Sequence, residues 1–80
     1  MKKILENEYA IIRETEQDYD FIAAIENKTE QKLKITFTGE AESYGAIEIE
    51  ASYWCGLLAT YGGRAMLEAI KNGDFIIEEV

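Results

Sequence analysis

Eighty residues carry sixteen Asp and Glu against eight Lys and Arg, a formal charge of −8, with no histidine and a single cysteine. That composition excludes an internal disulfide, and it excludes a zinc constellation or a histidine-based catalytic triad built from this chain alone. It also weighs against direct nucleic-acid binding and against adhesion to an anionic membrane, both of which draw on Lys and Arg.

At 9.1 kDa the chain makes one domain, residues 1–80, near the lower size limit for folding on a core of its own. Leu, Ile, Val and Phe supply 20 of the 80 residues, above the fraction of about 20% at which disorder is the expected state. No cofactor and no metal site are expected.

The start, Met1-Lys2-Lys3-Ile4-Leu5, has the flavour of a signal peptide, but Glu6, Asn7 and Glu8 interrupt it at once. The longest uncharged run, Ala51–Gly63, is 13 residues with three glycines, too short and mixed to span a bilayer. Cytoplasmic residence is the expectation. Asn27-Lys28-Thr29 matches a glycosylation sequon and reads better as turn chemistry.

Parity is the strongest signal along the chain. Fifteen of the sixteen acids stand at even positions, Glu79 being the exception, and within one strand a period of two has a direct cause, since successive side chains point to opposite faces. Strands are predicted over Glu8–Glu14 and Asp20–Glu26, each apolar on both faces. Two more are predicted over Lys32–Thr38 and Ala46–Ala51, each apolar on one face only.

A hairpin about Asn27–Gln31 would set Ile25 opposite Leu33 and Glu26 opposite Lys32. A turn between Gly39 and Gly45 would set Lys34 opposite Glu50. From Ser52 to Asn72 the period changes to that of a helix, with Asn72-Gly73 as its stop. Three glycines weaken that reading at about 1 kcal/mol each. The competing reading keeps Tyr53, Cys55 and Leu57 extended, with only Arg64–Asn72 helical. Asp74–Val80 reads as a last short strand.

The expected fold is therefore α+β: an antiparallel sheet of four to five strands in the order β-β-β-β-α-β, with one helix packed on one face. That face is formed by Tyr9, Ile11, Phe21, Ile25, Leu33, Ile35, Phe37, Ile47 and Ile49. The opposite face would expose Ala10, Ile12, Ile22 and Ala24 inside a charged rim, a common mark of a protein–protein surface.

No catalytic residues emerge. Glu48 and Glu50, about 6.6 Å apart on one strand face, lack the pocket that would drive their pKa values apart. The run Glu14–Asp20 alternates carboxylates like a calcium loop but has neither the glycine nor the distal glutamate. Cys55 has no neighbouring base to activate it.

Charge clustering carries more weight. Seven acids and one base lie between Glu6 and Glu26, and four acids with no base between Glu40 and Glu50. Such a field steers basic surfaces toward it. The expected partner is a protein with a basic surface, such as a nucleic-acid-binding protein. Glu14, Glu16, Asp18, Asp20, Glu48 and Glu50 would steer it, and Ile12 and Ile22 would make buried contact.

In overall style (short, acidic, without cofactor chemistry) the chain is similar to the compact inhibitors that phages and mobile elements use against host defences, such as anti-CRISPR proteins. No motif carries that similarity, so it transfers no residue. Two further expectations are a homodimer or larger homo-oligomer built on the apolar sheet face, with a structural or assembly role, and a small acid–base enzyme.

Overall fold

The computed structural model describes residues 2–15, 20–50, 53–58 and 62–80, the side chains of Trp54, Cys55 and Leu58 excepted. The strands are β1 (Lys2–Glu6), β2 (Ala10–Glu14), β3 (Phe21–Asn27), β4 (Leu33–Phe37), β5 (Ala46–Ile49), β6 (Tyr53–Leu58) and β7 (Phe75–Glu79). A 3-10 helix (Gly39–Tyr44) joins β4 to β5, and α1 (Gly63–Asn72) joins β6 to β7. The α+β class, with antiparallel strands and one α-helix, is as the sequence predicts.

The strands divide between two sheets, where the sequence suggested one. One sheet has the order β1-β2-β3-β6 and the other β5-β4-β7. Both contribute to one core that includes Ile12, Ile25, Leu33, Ile35, Phe37 and Ile49, with Leu67 and Ile70 from α1. The helix lies against β1, β3, β6 and the 3-10 helix.

The expected hairpin between β3 and β4 does not form. Residues Ile22, Ala23, Ala24 and Ile25 are all buried, and a strand apolar on both faces is satisfied at the centre of a sheet. Accordingly β3 takes β2 and β6 as neighbours, with Ile12 opposite Ile25 and Ala23 opposite Gly56. Glu26 meets Arg13 at 3.1 Å instead of Lys32.

The chain then crosses to the second sheet through a turn organised by Asn27. Its Oδ1 accepts from the Thr29 backbone N–H at 2.8 Å and its Nδ2 donates to the Gln31 carbonyl at 2.8 Å. In that second sheet Leu33 and Ile35 face Ile49 and Ile47, while Lys34 lies opposite Glu48, two residues from the expected register with Glu50.

The outward apolar patch is a further correction. Ala10, Ile12 and Ala24 are fully buried and Ile22 is nearly so, whereas Ile11 is half-exposed and lies outside the core. The loop between β2 and β3 changes parity, so the even face of β2 shares a side with the odd face of β3. On the other side, Arg13 lies opposite the fully buried Ala24 and reaches across to Glu26. Of the remaining expected core residues, Tyr9 and Ile47 pack half-buried against the core and Phe21 is half-exposed.

The competing reading of residues 52–72 is the closer one. Tyr53–Leu58 is a strand antiparallel to β3, and the helix occupies Gly63–Asn72 alone. Gly62 takes a left-handed φ of 91° at the helix start and Gly73 a φ of 82° at its end, where its N–H reaches the carbonyls of Ala69 and Ile70. The expected cap Ser52 lies outside the described residues. One strand went unread altogether: β1, a short edge whose two lysines disguise the pairing of Leu5 with Ile12.

Candidate functional site

The acids singled out in the sequence fall into two kinds. Some are neutralised by lysines. Glu14 accepts from Lys71 Nζ at 2.9 Å, and Lys32 Nζ bridges Glu48 at 2.8 Å and Glu50 at 3.1 Å. The hydrogen bonds with Glu48 and then Glu50 raise the Lys32 pKa, and Lys32 in turn holds Glu48 below the usual carboxylate range. Lys71 is likewise raised, first by its hydrogen bond with Glu14.

Others are placed differently or lie beyond description. Asp20 is exposed, while Glu16 and Asp18 lie outside the described residues. Ile12 is enclosed in the core and Ile22 is only 5% exposed, so neither offers a partner any surface.

Among the described residues, a further group of carboxylates without an ion pair lies around the 3-10 helix. Thr38 enters it extended, and Glu40 and Glu42 occupy its first turn, where exposed N–H groups favour negative charge. Two backbone bonds draw the end of α1 to the same place. Asp74 N–H donates to Ala69 O at 2.8 Å, and Thr38 N–H donates to Asp74 O at 3.0 Å. The Asp74 carboxylate thereby lies over Gly39, 3.5 Å from where a Cβ would sit.

Between the two helices runs a groove of about 390 Å³. Ala41, Ala65 and Ala69 give it short walls, and Glu40, Glu68 and Asp74 bring carboxylates to it. Glu68 shares Lys71 at 3.6 Å. Among the described residues Glu40, Glu42 and Asp74 have no ion pair.

Tyr44 also lines the groove. Its ring meets Phe37 edge-on at 6.4 Å between centroids, and its Cε1 would stand 3.1 Å from a Cβ on Gly62. So wedged, it still leaves 37% of its surface exposed. Fixed aromatics beside carboxylates can receive a cation on the ring face and on the acids together.

The sequence marked Glu40–Glu50 as acidic without bases but could not divide it. Glu48 and Glu50 meet Lys32 only because β4 and β5 pair, and Asp74 joins Glu40 only through the crossover of the chain. Among the described residues no three His, Cys, Asp or Glu are grouped to hold a metal ion, and no described helix is long and apolar enough to cross a membrane. Comparison with protein-family models, curated proteins and solved structures finds no match.

Proposed function

We propose that this chain is a small non-enzymatic protein-binding module, an inhibitor or regulator that docks on a basic protein surface through the groove between the 3-10 helix and α1. The observation that carries this reading is that, among the described residues, Glu40, Glu42 and Asp74 have no ion pair, and the exposed Tyr44 lines the same groove as Glu40 and Asp74. Aromatic anchors within a complementary charged rim are what tight interfaces use. Asp20, with Glu16 and Asp18, extends the field that steers the partner, and Glu14, Glu48 and Glu50 contribute less because each faces a lysine. Cytoplasmic residence, with nucleic-acid-binding proteins among the candidate partners, belongs to the same proposal.

A general acid needs a carboxyl pushed upward. Among the described residues Glu6 and Glu48 are held below the usual carboxylate range, first by Lys3 and by Lys32 respectively. The homo-oligomer reading loses its main support with the burial of Ile12 and Ile22.

Titration with a fluorescent lysine- and arginine-rich peptide tests the proposal. Affinity should fall at least about tenfold between about 50 and 500 mM salt, as the screening length shortens to a few ångströms. Glu40→Lys with Glu42→Lys should weaken binding about tenfold, roughly 1.4 kcal/mol, and Glu48→Lys with Glu50→Lys distinctly less. Binding indifferent to salt, or equally sensitive to both pairs, would overturn it.

A further inference from the structure

The two sheets end in four edge strands, and three of them carry features that discourage pairing with another chain. β1 bears Lys2 and Lys3 and shifts register between Lys3 and Leu5. β5 has only four residues. β6 contains Leu57 with a left-handed φ of 60°, which breaks an extended ladder. Lysines, bulges, short lengths and bent backbones are the usual protections of an open edge.

β7 has none of these. Its pairing with β4 runs unbroken from Phe37 opposite Phe75 to Leu33 opposite Glu79, and its sequence, Phe75-Ile76-Ile77-Glu78-Glu79, contains no lysine and no proline. Val80 N–H donates to Lys32 O and Thr38 N–H donates to Asp74 O, so the even residues of this segment turn their backbone toward β4. By the alternation of an antiparallel ladder, the N–H and C=O groups of Phe75, Ile77 and Glu79 point away from it. Among the described residues these groups have no partner. On the exposed sheet face beside them stand Ile76, 57% exposed, Val80, 60% exposed, and Glu78.

We propose that β7 is a docking edge that accepts an extended segment of a basic protein as an added antiparallel strand. The backbone of Phe75, Ile77 and Glu79 supplies the hydrogen bonds, and side chains beside Ile76 and Glu78 are selected as apolar and cationic respectively. The inference deepens the function proposed above and rests on it for the charge of the partner. The two surfaces adjoin, since Asp74 lines the groove and immediately precedes β7.

Charge favours this occupant over a second copy. Two β7 strands paired about Ile77 would set Glu78 against Ile76 and Glu79 against Phe75, gathering four carboxylates against the one Lys34 that each β4 places opposite Glu78, between molecules of −8 each. A lysine- or arginine-bearing strand instead gives Glu79, which faces Leu33 on β4, a cross-strand counterpart, and gives Glu78 a second cation on the side away from Lys34.

The test is amide hydrogen exchange by NMR on the full chain, with a capped seven-residue peptide, Thr-Lys-Lys-Val-Val-Val-Thr, whose antiparallel register sets lysines against Glu79 and Glu78 and valines against Ile77, Ile76 and Phe75, and, as control, its counterpart with glutamate in place of both lysines. The lysine peptide should slow exchange at Phe75, Ile77 and Glu79 by at least about tenfold, and the glutamate peptide should not. Glu79→Pro deletes one outward N–H and leaves the bonds to β4 intact, because Glu78 and Val80 make those. It should weaken the lysine peptide at least about tenfold beyond Glu79→Gln, with unchanged circular dichroism.

Equal effects of the two substitutions, or equal protection by both peptides, would overturn the inference. Protection that rises with protein concentration alone would overturn it in favour of a second copy. Binding that perturbs Glu40, Glu42 and Asp74 but leaves β7 exchange unchanged would remove this inference while leaving the groove reading intact.

Discussion

Ile11 and Ile12 are adjacent, identical in chemistry and opposite in fate, which makes them the sharpest test of the inside and outside assigned to β2. Ile12 is fully buried between register partners Leu5 and Ile25, whereas Ile11 is half-exposed beside Arg13 and Glu26. Truncating Ile12 to alanine removes three carbons from a closed core, about 2.5 kcal/mol in transfer alone at about 0.8 kcal/mol per carbon. The residual cavity brings the total to about 3–4 kcal/mol.

A domain of this length has a total stability of about 4–12 kcal/mol, so Ile12→Ala consumes a large share. It should lower Tm by about 12 °C or more, at about 4–8 °C per kcal/mol for a domain of this size. Ile11→Ala, whose side chain is already partly in water, should cost about 1 kcal/mol or less. Urea titration followed by circular dichroism measures both, with m-values compared to verify two-state unfolding. The reasoning is refuted if the two variants shift the midpoint equally, or if Ile11→Ala is the more damaging.

Asn27→Ala should destabilise the fold by about 1–3 kcal/mol, because the Thr29 N–H and Gln31 carbonyl lose their partner in a partly buried turn; chemical denaturation reads this directly, and a cost below about 0.5 kcal/mol would sink it. Gly73→Ala forces a left-handed φ of 82° on a residue with a Cβ and should cost about 1–2 kcal/mol, even though nothing lies within 4 Å of the added methyl. A neutral result in thermal melts would contradict that backbone geometry.

The pH dependence has two sides. Glu6 and Glu48 titrate below their ordinary value of 4.5 when folded, so their stabilisation is present above that pH and fades as acid carries the solution through the lowered folded values. Lys32 and Lys71 titrate above their ordinary 10.5 when folded, so their contribution is full below that pH and is lost as pH rises through the raised values. Denaturation midpoints measured between pH 3 and 11 should be highest between those limits, and Lys32→Met should flatten both flanks.

What the sequence determined by itself is local. Alternation within Leu33–Phe37 and Ala46–Ile49 assigned their inner and outer faces correctly, because a strand cannot reverse its side chains without slipping register. Asn72-Gly73 marked the helix end for an equally local reason, the ease with which glycine enters the left-handed region. Asn27-Lys28-Thr29 was legible as a turn from the chemistry of its side chains.

What tertiary structure decided is which strands meet. Parity does not survive the loop between β2 and β3, so the same alternation that served β4 misplaced Ile11 and Ile12. Pairing is chosen by the burial that the whole core makes available: β3, apolar on both faces, went to the centre of one sheet and sent β4 to another. The same choice set Lys32 against Glu48 and Glu50, brought Asp74 beside Glu40, and left β7 with an unshielded edge. Partners far apart in the chain are selected by three-dimensional packing, and no window of neighbouring residues contains that selection.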